Sequence, residues 1–208
     1  SELVGRDPRE ITLVAVTKTV EVDRIEEAIA SGVSIIGESR VQEAKEKYGK
    51  LCNKVIWHLV GHLQRNKVKD AIKIFDLIHS VDSAKLVNEI DQQGRKIGKI
   101  QKILIEVNVS GEESKYGLSP EEVIPFLKDI MGLTNIKVKG LMTMAPLYEN
   151  PEDCRPYFRK LKDLMEKVKA ENIENVEMIN LSMGMSNDFQ VAIEEGSNMV
   201  RIGKAIFG

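Results

Sequence analysis

Eight short apolar runs, each separated from the next by a stretch of helical periodicity, constrain this chain more than any other feature. The runs cover residues 11–17, 33–37, 55–60, 77–81, 103–109, 136–144, 176–181 and 199–206. They are rich in Val and Ile and nearly continuous, which is how strands buried on both faces read. Between them, apolar residues recur at helical spacing, as in Ile25/Ala28/Ile29, Val68/Ala71/Ile72/Phe75, Val123/Leu127/Ile130/Met131, Phe158/Leu161/Met165/Val168 and Phe189/Ala192/Ile193. Eight strands with seven intervening helices imply a parallel sheet, and eight repeats of the unit imply its closure into a (β/α)8 TIM barrel. Sharing 208 residues among eight units leaves 26 for each. That is near the minimum for a strand, a helix and two turns, so residues 1–208 are expected to form one domain. An open doubly wound sheet would need a glycine-rich phosphate turn after an early strand. The turn after the first run, Thr17-Lys18-Thr19-Val20, has no glycine.

Local signals mark the helix ends. Ser119-Pro120-Glu121-Glu122 places a hydroxyl at an N-cap, proline at the first helical position and glutamate where a capping box needs it. Asn150-Pro151 does the same for the longest helix, and Gly32 and Gly196 stand where helices should stop in a left-handed conformation.

A formal net charge of −2 gives no field to recruit nucleic acid or an anionic membrane. No apolar run approaches a bilayer span and no signal-peptide pattern opens the chain, so a cytoplasmic location is expected. Cys52 and Cys154 lie in no metal or redox motif and are expected to be reduced and semi-buried. The chain opens at Ser1 without methionine and stops at Gly208 just after an apolar run, as expected if native tail segments are missing.

In a barrel of this kind the functional groups gather at the C-terminal ends of the strands. Lys18 ends the first apolar run. An amine at a barrel mouth is expected to be desolvated, which frees the neutral nucleophile that a carbonyl requires; the alternative is a rim lysine with its stem packed and its ammonium in water. The stretch Leu181-Ser182-Met183-Gly184-Met185-Ser186-Asn187-Asp188 leaves the seventh strand and enters a helix. It offers hydroxyls and backbone N–H groups to a phosphate, or simply a cap from Ser186 or Asn187. Gly203 would supply a second close backbone approach to the same phosphate. Arg201 lies within the last apolar run and should point into the mouth, where a buried guanidinium needs a partner. That partner is a heteroaromatic nitrogen or a carboxylate such as Glu38 or Glu106.

His58, His62 and His79 are too scattered for a zinc triad and read as rim hydrogen-bonding groups. Met142 and Met144 read as walls of a ring pocket or as plain barrel core. Arg65, Lys67 and Lys69 read as a solvated face.

Six segments, in order, resemble those of a known family. They are Ala15-Val16-Thr17-Lys18, Gly37-Glu38-Ser39-Arg40-Val41-Gln42-Glu43, the run from Trp57-His58 through Gly61-His62 to Asn66-Lys67, Gly140-Leu141-Met142-Thr143-Met144, Leu181-Ser182-Met183-Gly184-Met185-Ser186, and Val200-Arg201-Ile202-Gly203-Lys204-Ala205-Ile206-Phe207-Gly208. Together they resemble the pyridoxal phosphate homeostasis protein family, itself similar to the N-terminal barrel domain of alanine racemase. The similarity runs from about Ile11 to Gly208. It implies pyridoxal 5'-phosphate as cofactor, a Schiff base on Lys18, and phosphate contacts from Ser182 and from the backbone of Met183, Gly203 and Lys204. It also implies Arg201 on the pyridine nitrogen and Ser39 beside the ring. The family usually carries asparagine at the position of Ser39 and a small hydroxyl residue at that of Lys204, and its N-terminal helix is nearly absent here. The resemblance further implies a cytosolic, monomeric protein that buffers or delivers the cofactor, with apo-enzymes or vitamin B6 metabolic enzymes as partners and no firm catalytic activity.

Arg201 bears on catalysis. A pyridine nitrogen paired with guanidinium stays unprotonated and is a weak electron sink. An amino-acid racemase, the alternative function, also needs a second base on the opposite face of the substrate. Of Tyr48, Tyr116, Tyr148 and Tyr157, only Tyr116 is placed to reach the mouth. A third reading, a phosphosugar aldolase or isomerase, would use Lys18 on a sugar carbonyl without a coloured cofactor.

Overall fold

The computed structural model describes residues 5–208; Ser1, on which the expectation of a missing leading segment rested, lies outside them. Eight parallel strands close into a barrel in strict sequence order. They are β1 (Thr12–Val16), β2 (Ile35–Glu38), β3 (Ile56–Leu59), β4 (Leu77–Val81), β5 (Gln101–Glu106), β6 (Ile136–Met142), β7 (Val176–Ser182) and β8 (Met199–Ile202). Closure is made between β1 and β8, with Val14 beside Arg201 and Ala15 beside Ile202. The helices that follow the strands in turn are α1 (Val22–Ala30), α2 (Val41–Leu51), α3 (Val68–Ile74), α4 (Ala84–Ile97), α5 (Val123–Ile130), α6 (Arg155–Ala170), α7 (Phe189–Glu194) and the short α8 (Lys204–Phe207).

Alternation along each strand divides two cores. Ile36, Trp57, Leu59 and Ile78 pack outward in the large layer under the helices. Val14, Leu77, Leu104, Met142 and Met199, with Ile35 and Val60 against them, fill the barrel axis. In α6 the stripe Phe158, Leu161, Met165 and Val168 is buried. At about 2 kcal/mol per fully buried side chain, that stripe holds the helix down far more than exposed ion pairs worth under about 1 kcal/mol each. Gly140 has a φ of 146° where β6 passes β7, and a Cβ there would lie 1.8 Å from the Asn180 carbonyl oxygen. Only glycine allows that approach.

Several local expectations are refined. Asn150 accepts from the Glu152 N–H, with Pro151 behind it, but it caps a 3-10 turn over Pro151–Cys154 and α6 starts only at Arg155; Gly32 and Gly196 both have positive φ. At Ser119, however, the hydroxyl and the N–H both donate to Glu122 (2.7 and 2.8 Å), and α5 starts only at Val123. The last apolar run is not all strand. β8 stops at Ile202, and residues 204–207 turn into α8, which lets Ile206 pack beside Ile193, Val200 and Ile202. Met131 lies past the end of α5 and is half exposed. Cys154 is buried but Cys52, the residue that ends α2, is exposed.

Candidate functional site

At the C-terminal mouth of the barrel a cavity of about 330 Å³ is lined by residues from β1, β2, β3, β6, β7 and β8 or the turns after them. Its wall includes Lys18, Ser39, Arg201, Gly203 and Lys204. Five sequence-predicted residues, scattered over 187 positions of the chain, therefore converge on one space. Their convergence follows from strand parity. Lys18 continues the inward parity of Val14 and Val16 into the turn after β1, Ser39 stands two residues after Gly37, and Arg201 and Gly203 follow Met199. A larger groove of about 640 Å³ runs between α5 and α6, but Arg155 within it is already paired with Glu152, Glu194 and Glu195 and Arg159 with Glu195.

Lys18 is exposed rather than desolvated, because it stands in the turn above the rim and not within the strand. The next residue, Thr19, has a φ of 61°, a left-handed conformation that β-branched residues rarely adopt. Its hydroxyl donates to the Lys18 carbonyl (2.6 Å) and its N–H reaches Glu43. Below the turn, Thr17 is fixed by two partners. Its hydroxyl donates to Glu38 (2.6 Å), and Lys47 from α2 donates both to Glu38 and to the Thr17 carbonyl (2.7 Å each).

Arg201 forms the buried floor, 4% exposed. It donates from Nη1 to the Ser182 hydroxyl (2.7 Å) and from Nη2 to the Thr143 carbonyl (2.9 Å). Neither carboxylate expected as its partner is in an ion pair with it: Glu38 faces α2 and pairs with Lys47. Glu106 sits on the inward face of β5, near enough to act on Arg201 through its field alone. Burial pushes the guanidinium down to about 10, against the pull of Glu106 and Asp188, so it stays a cation at neutral pH. Burial, aided by Asp82, pushes the Glu106 carboxyl up to about 7, and Arg201 opposes this.

Ser182 and Met183 are not brought to the cavity. The Ser182 side chain is wholly buried beneath Arg201, and the Met183 N–H is given to the Met199 carbonyl (3.2 Å). The same loop contributes Met185, Ser186, Asn187 and Asp188 to the wall instead. Ser186 accepts from the Ala205 N–H (3.4 Å), which joins the loop to the start of α8. Asp188 occupies the N-cap position of α7 and turns its carboxylate back to the Met185 N–H (2.6 Å). The run of polar residues after Gly184 was a visible signal for this loop, but it did not say which of them would face inward. Met144 lines the cavity, with Ala145, Pro146 and Leu147, while Met142 belongs to the axial core.

The three histidines part company. His58 and His79 are not rim groups; they are buried on the barrel axis and bonded to each other (3.1 Å). His62 stays at the surface, stacked on Tyr116 with ring centres 4.0 Å apart. Tyr116 thus faces His62 and is not in the cavity wall. Among the described residues no group of His, Cys, Asp and Glu is arranged to hold a metal ion.

Comparison with known proteins places this geometry. Residues 5–208 match the family model described as alanine racemase, N-terminal domain. A protein of Aquifex aeolicus named pyridoxal phosphate homeostasis protein is 46% identical over 208 residues, covering all of this chain and 90% of that one. The chain belongs to the pyridoxal phosphate homeostasis protein family. A human member of the family is 38% identical over 224 residues, with all of this chain and 81% of that one covered. PipY of Synechococcus elongatus PCC7942, solved with PLP bound, superposes with a TM-score of 0.89 at 32% identity, covering all of this chain and 97% of that one. An alanine racemase of Clostridium difficile shares 16% identity at a TM-score of 0.80, which carries the fold alone. The pyridoxal phosphate homeostasis relatives are named for cofactor homeostasis and not for catalysis.

Proposed function

We propose that the mouth cavity binds pyridoxal 5'-phosphate as a Schiff base on Lys18, and that the protein buffers or delivers this cofactor. The observation that carries the reading is the convergence of Lys18 and the buried Arg201 on one cavity of about 330 Å³, within the range of small-ligand sites. In the covalent step the Lys18 amine adds to the aldehyde carbon and the aldehyde oxygen leaves as water. The phosphate would be held by Ser186 and Asn187 from one loop and by the backbone N–H of Lys204 at the start of α8, the Ala205 N–H being given to Ser186. Gly203 lets the backbone come close, and the Lys204 side chain adds charge where the family usually has a hydroxyl. Arg201 can only donate, so it suits an unprotonated ring nitrogen.

That pairing leaves the ring a weak electron sink, and Tyr116, the one tyrosine placed for a second base, is engaged with His62. Both features favour holding the cofactor over racemising an amino acid. We further propose a cytoplasmic monomer that hands the cofactor to apo-enzymes or exchanges it with vitamin B6 metabolic enzymes.

The test is an absorbance titration of the purified chain with pyridoxal phosphate, followed by borohydride reduction and peptide mass spectrometry. A phosphopyridoxyl group on the Lys18 peptide is expected. A cofactor that stays unbound, or an adduct spread over surface lysines, would sink the reading. Turnover of L-alanine to the D form at enzymatic rates would favour the racemase.

A further inference from the structure

Beneath the cavity runs a line of buried polar side chains, of which the cofactor reading uses Arg201 alone. Arg201 Nη1 lies 2.7 Å from Ser182 Oγ, His79 Nδ1 lies 3.0 Å from the same oxygen, and His79 Nε2 lies 3.1 Å from His58 Nδ1. All four residues are 5% exposed or less. They come from β8, β7, β4 and β3, and they sit on the inward faces of those strands, around the axial core.

The direction of every bond in this line follows from its first member. A guanidinium only donates, so Ser182 Oγ accepts from Arg201. The proton of the Ser182 hydroxyl then needs an acceptor, and the neighbour within reach is His79 Nδ1. That nitrogen must be bare, which puts the His79 proton on Nε2, from where it is donated to His58 Nδ1. His58 in turn carries its proton on Nε2. Each imidazole is thereby fixed in one neutral tautomer.

We propose that Ser182, His79 and His58 form a one-way hydrogen-bond chain that positions Arg201. It pins one edge of the guanidinium, while the Thr143 carbonyl pins the other and the remaining N–H groups are left for the cavity. These are positioning residues, since they act through Arg201. The proposal rests on the cavity taking pyridoxal phosphate insofar as it names a ring nitrogen as the object of that aim.

The surroundings agree with neutral rings. Burial pushes His58 down to about 4, with Asp76 pulling it up and Lys102 pushing it further down. Burial, His58 and Arg201 together push His79 well below the ordinary histidine range. A charged His79 would place two cations on one hydroxyl and leave the proton of that hydroxyl without an acceptor. Neutral imidazoles give each of the three bonds of the line one donor and one acceptor.

Two measurements test this, one without cofactor. In the cofactor-free chain labelled with 15N-histidine, His58 and His79 are expected to show neutral Nε2–H tautomers from pH 6 to 8. An Nδ1–H tautomer at His79, or an imidazolium at either position in that range, overturns the chain. In the second, His79→Leu and His79→Asn are titrated with pyridoxal phosphate. The leucine variant should bind about tenfold more weakly, the equivalent of one modest hydrogen bond, with a shifted absorbance maximum for the bound cofactor. The asparagine variant, whose amide oxygen can accept from Ser182, should restore both. Equal affinity and an unmoved spectrum in His79→Leu overturn the positioning role. Should His79→Leu fail to fold, Ser182→Ala takes its place, with the same expectation and the same defeat. A wild-type chain that takes up no pyridoxal phosphate overturns the cofactor reading instead, and the tautomers still decide the chain.

Discussion

The Lys47 ammonium lies 2.7 Å from a carboxylate oxygen of Glu38, whose side chain is wholly buried. The pair closes the space between the top of β2 and α2, and Lys47 also holds the Thr17 carbonyl, one residue before Lys18. Taking away one partner of such a pair strands a buried charge, a loss of about 3–5 kcal/mol. Lys47→Met should therefore lower stability on that scale in guanidinium unfolding, and it should slow adduct formation at Lys18. Adding Glu38→Gln to Lys47→Met should recover most of the loss. A single variant within about 1 kcal/mol of wild type would show that Thr17 alone satisfies Glu38.

Lys18 is exposed above the rim and adds little packing; the role proposed for it is chemical. Lys18→Ala should remove the borohydride-stable adduct while changing unfolding free energy by no more than about 0.5 kcal/mol. A fall well beyond that would mean that the turn depends on the lysine stem.

The Glu106 carboxyl titrates near 7 in the fold because burial and Asp82 disfavour its ionised form. The folded state therefore holds a proton that the unfolded chain has released above about 4.5, so this group makes stability fall as pH rises from about 4.5 to about 7. Above pH 7 the penalty is complete, on the order of 3 kcal/mol. Glu106→Gln, which mimics the protonated form, should flatten this part of the stability profile and be more stable than wild type at pH 8. Parallel profiles for the two proteins would place the titration elsewhere.

Thr19 carries a φ of 61° next to Lys18, a conformation that costs a non-glycine residue about 1–3 kcal/mol. Thr19→Gly should relieve it and raise the thermal midpoint by a few degrees, in line with a gain of about 1 kcal/mol after the lost hydroxyl contact. The freer turn should in exchange weaken cofactor retention. A lower midpoint would show that the hydroxyl bond to the Lys18 carbonyl outweighs the strain.

Much of this was written in the sequence. Valine- and isoleucine-rich runs alternating with helical stripes gave eight strands in order; the ends of those runs named Lys18, Arg201 and Gly203, the family resemblance added Ser39 and Lys204, and all five stand in the cavity wall. Closure of the sheet needed no long-range signal beyond the count of units, because each βα unit packs on its neighbour and eight of them complete the circle.

Facing was another matter. In a strand buried on both sides, polarity no longer alternates, so the residues themselves do not say which side chain looks to the axis and which to the helices. The sequence offers Glu38 as a carboxylate partner for Arg201, reads His58 and His79 as rim groups and, by resemblance, gives Ser182 to a phosphate; in the fold Glu38 faces α2, the two histidines lie on the axis and Ser182 holds Arg201 from below. Only the register of eight parallel strands in the closed barrel set those directions and so divided the polar residues between the cavity and the buried line beneath it.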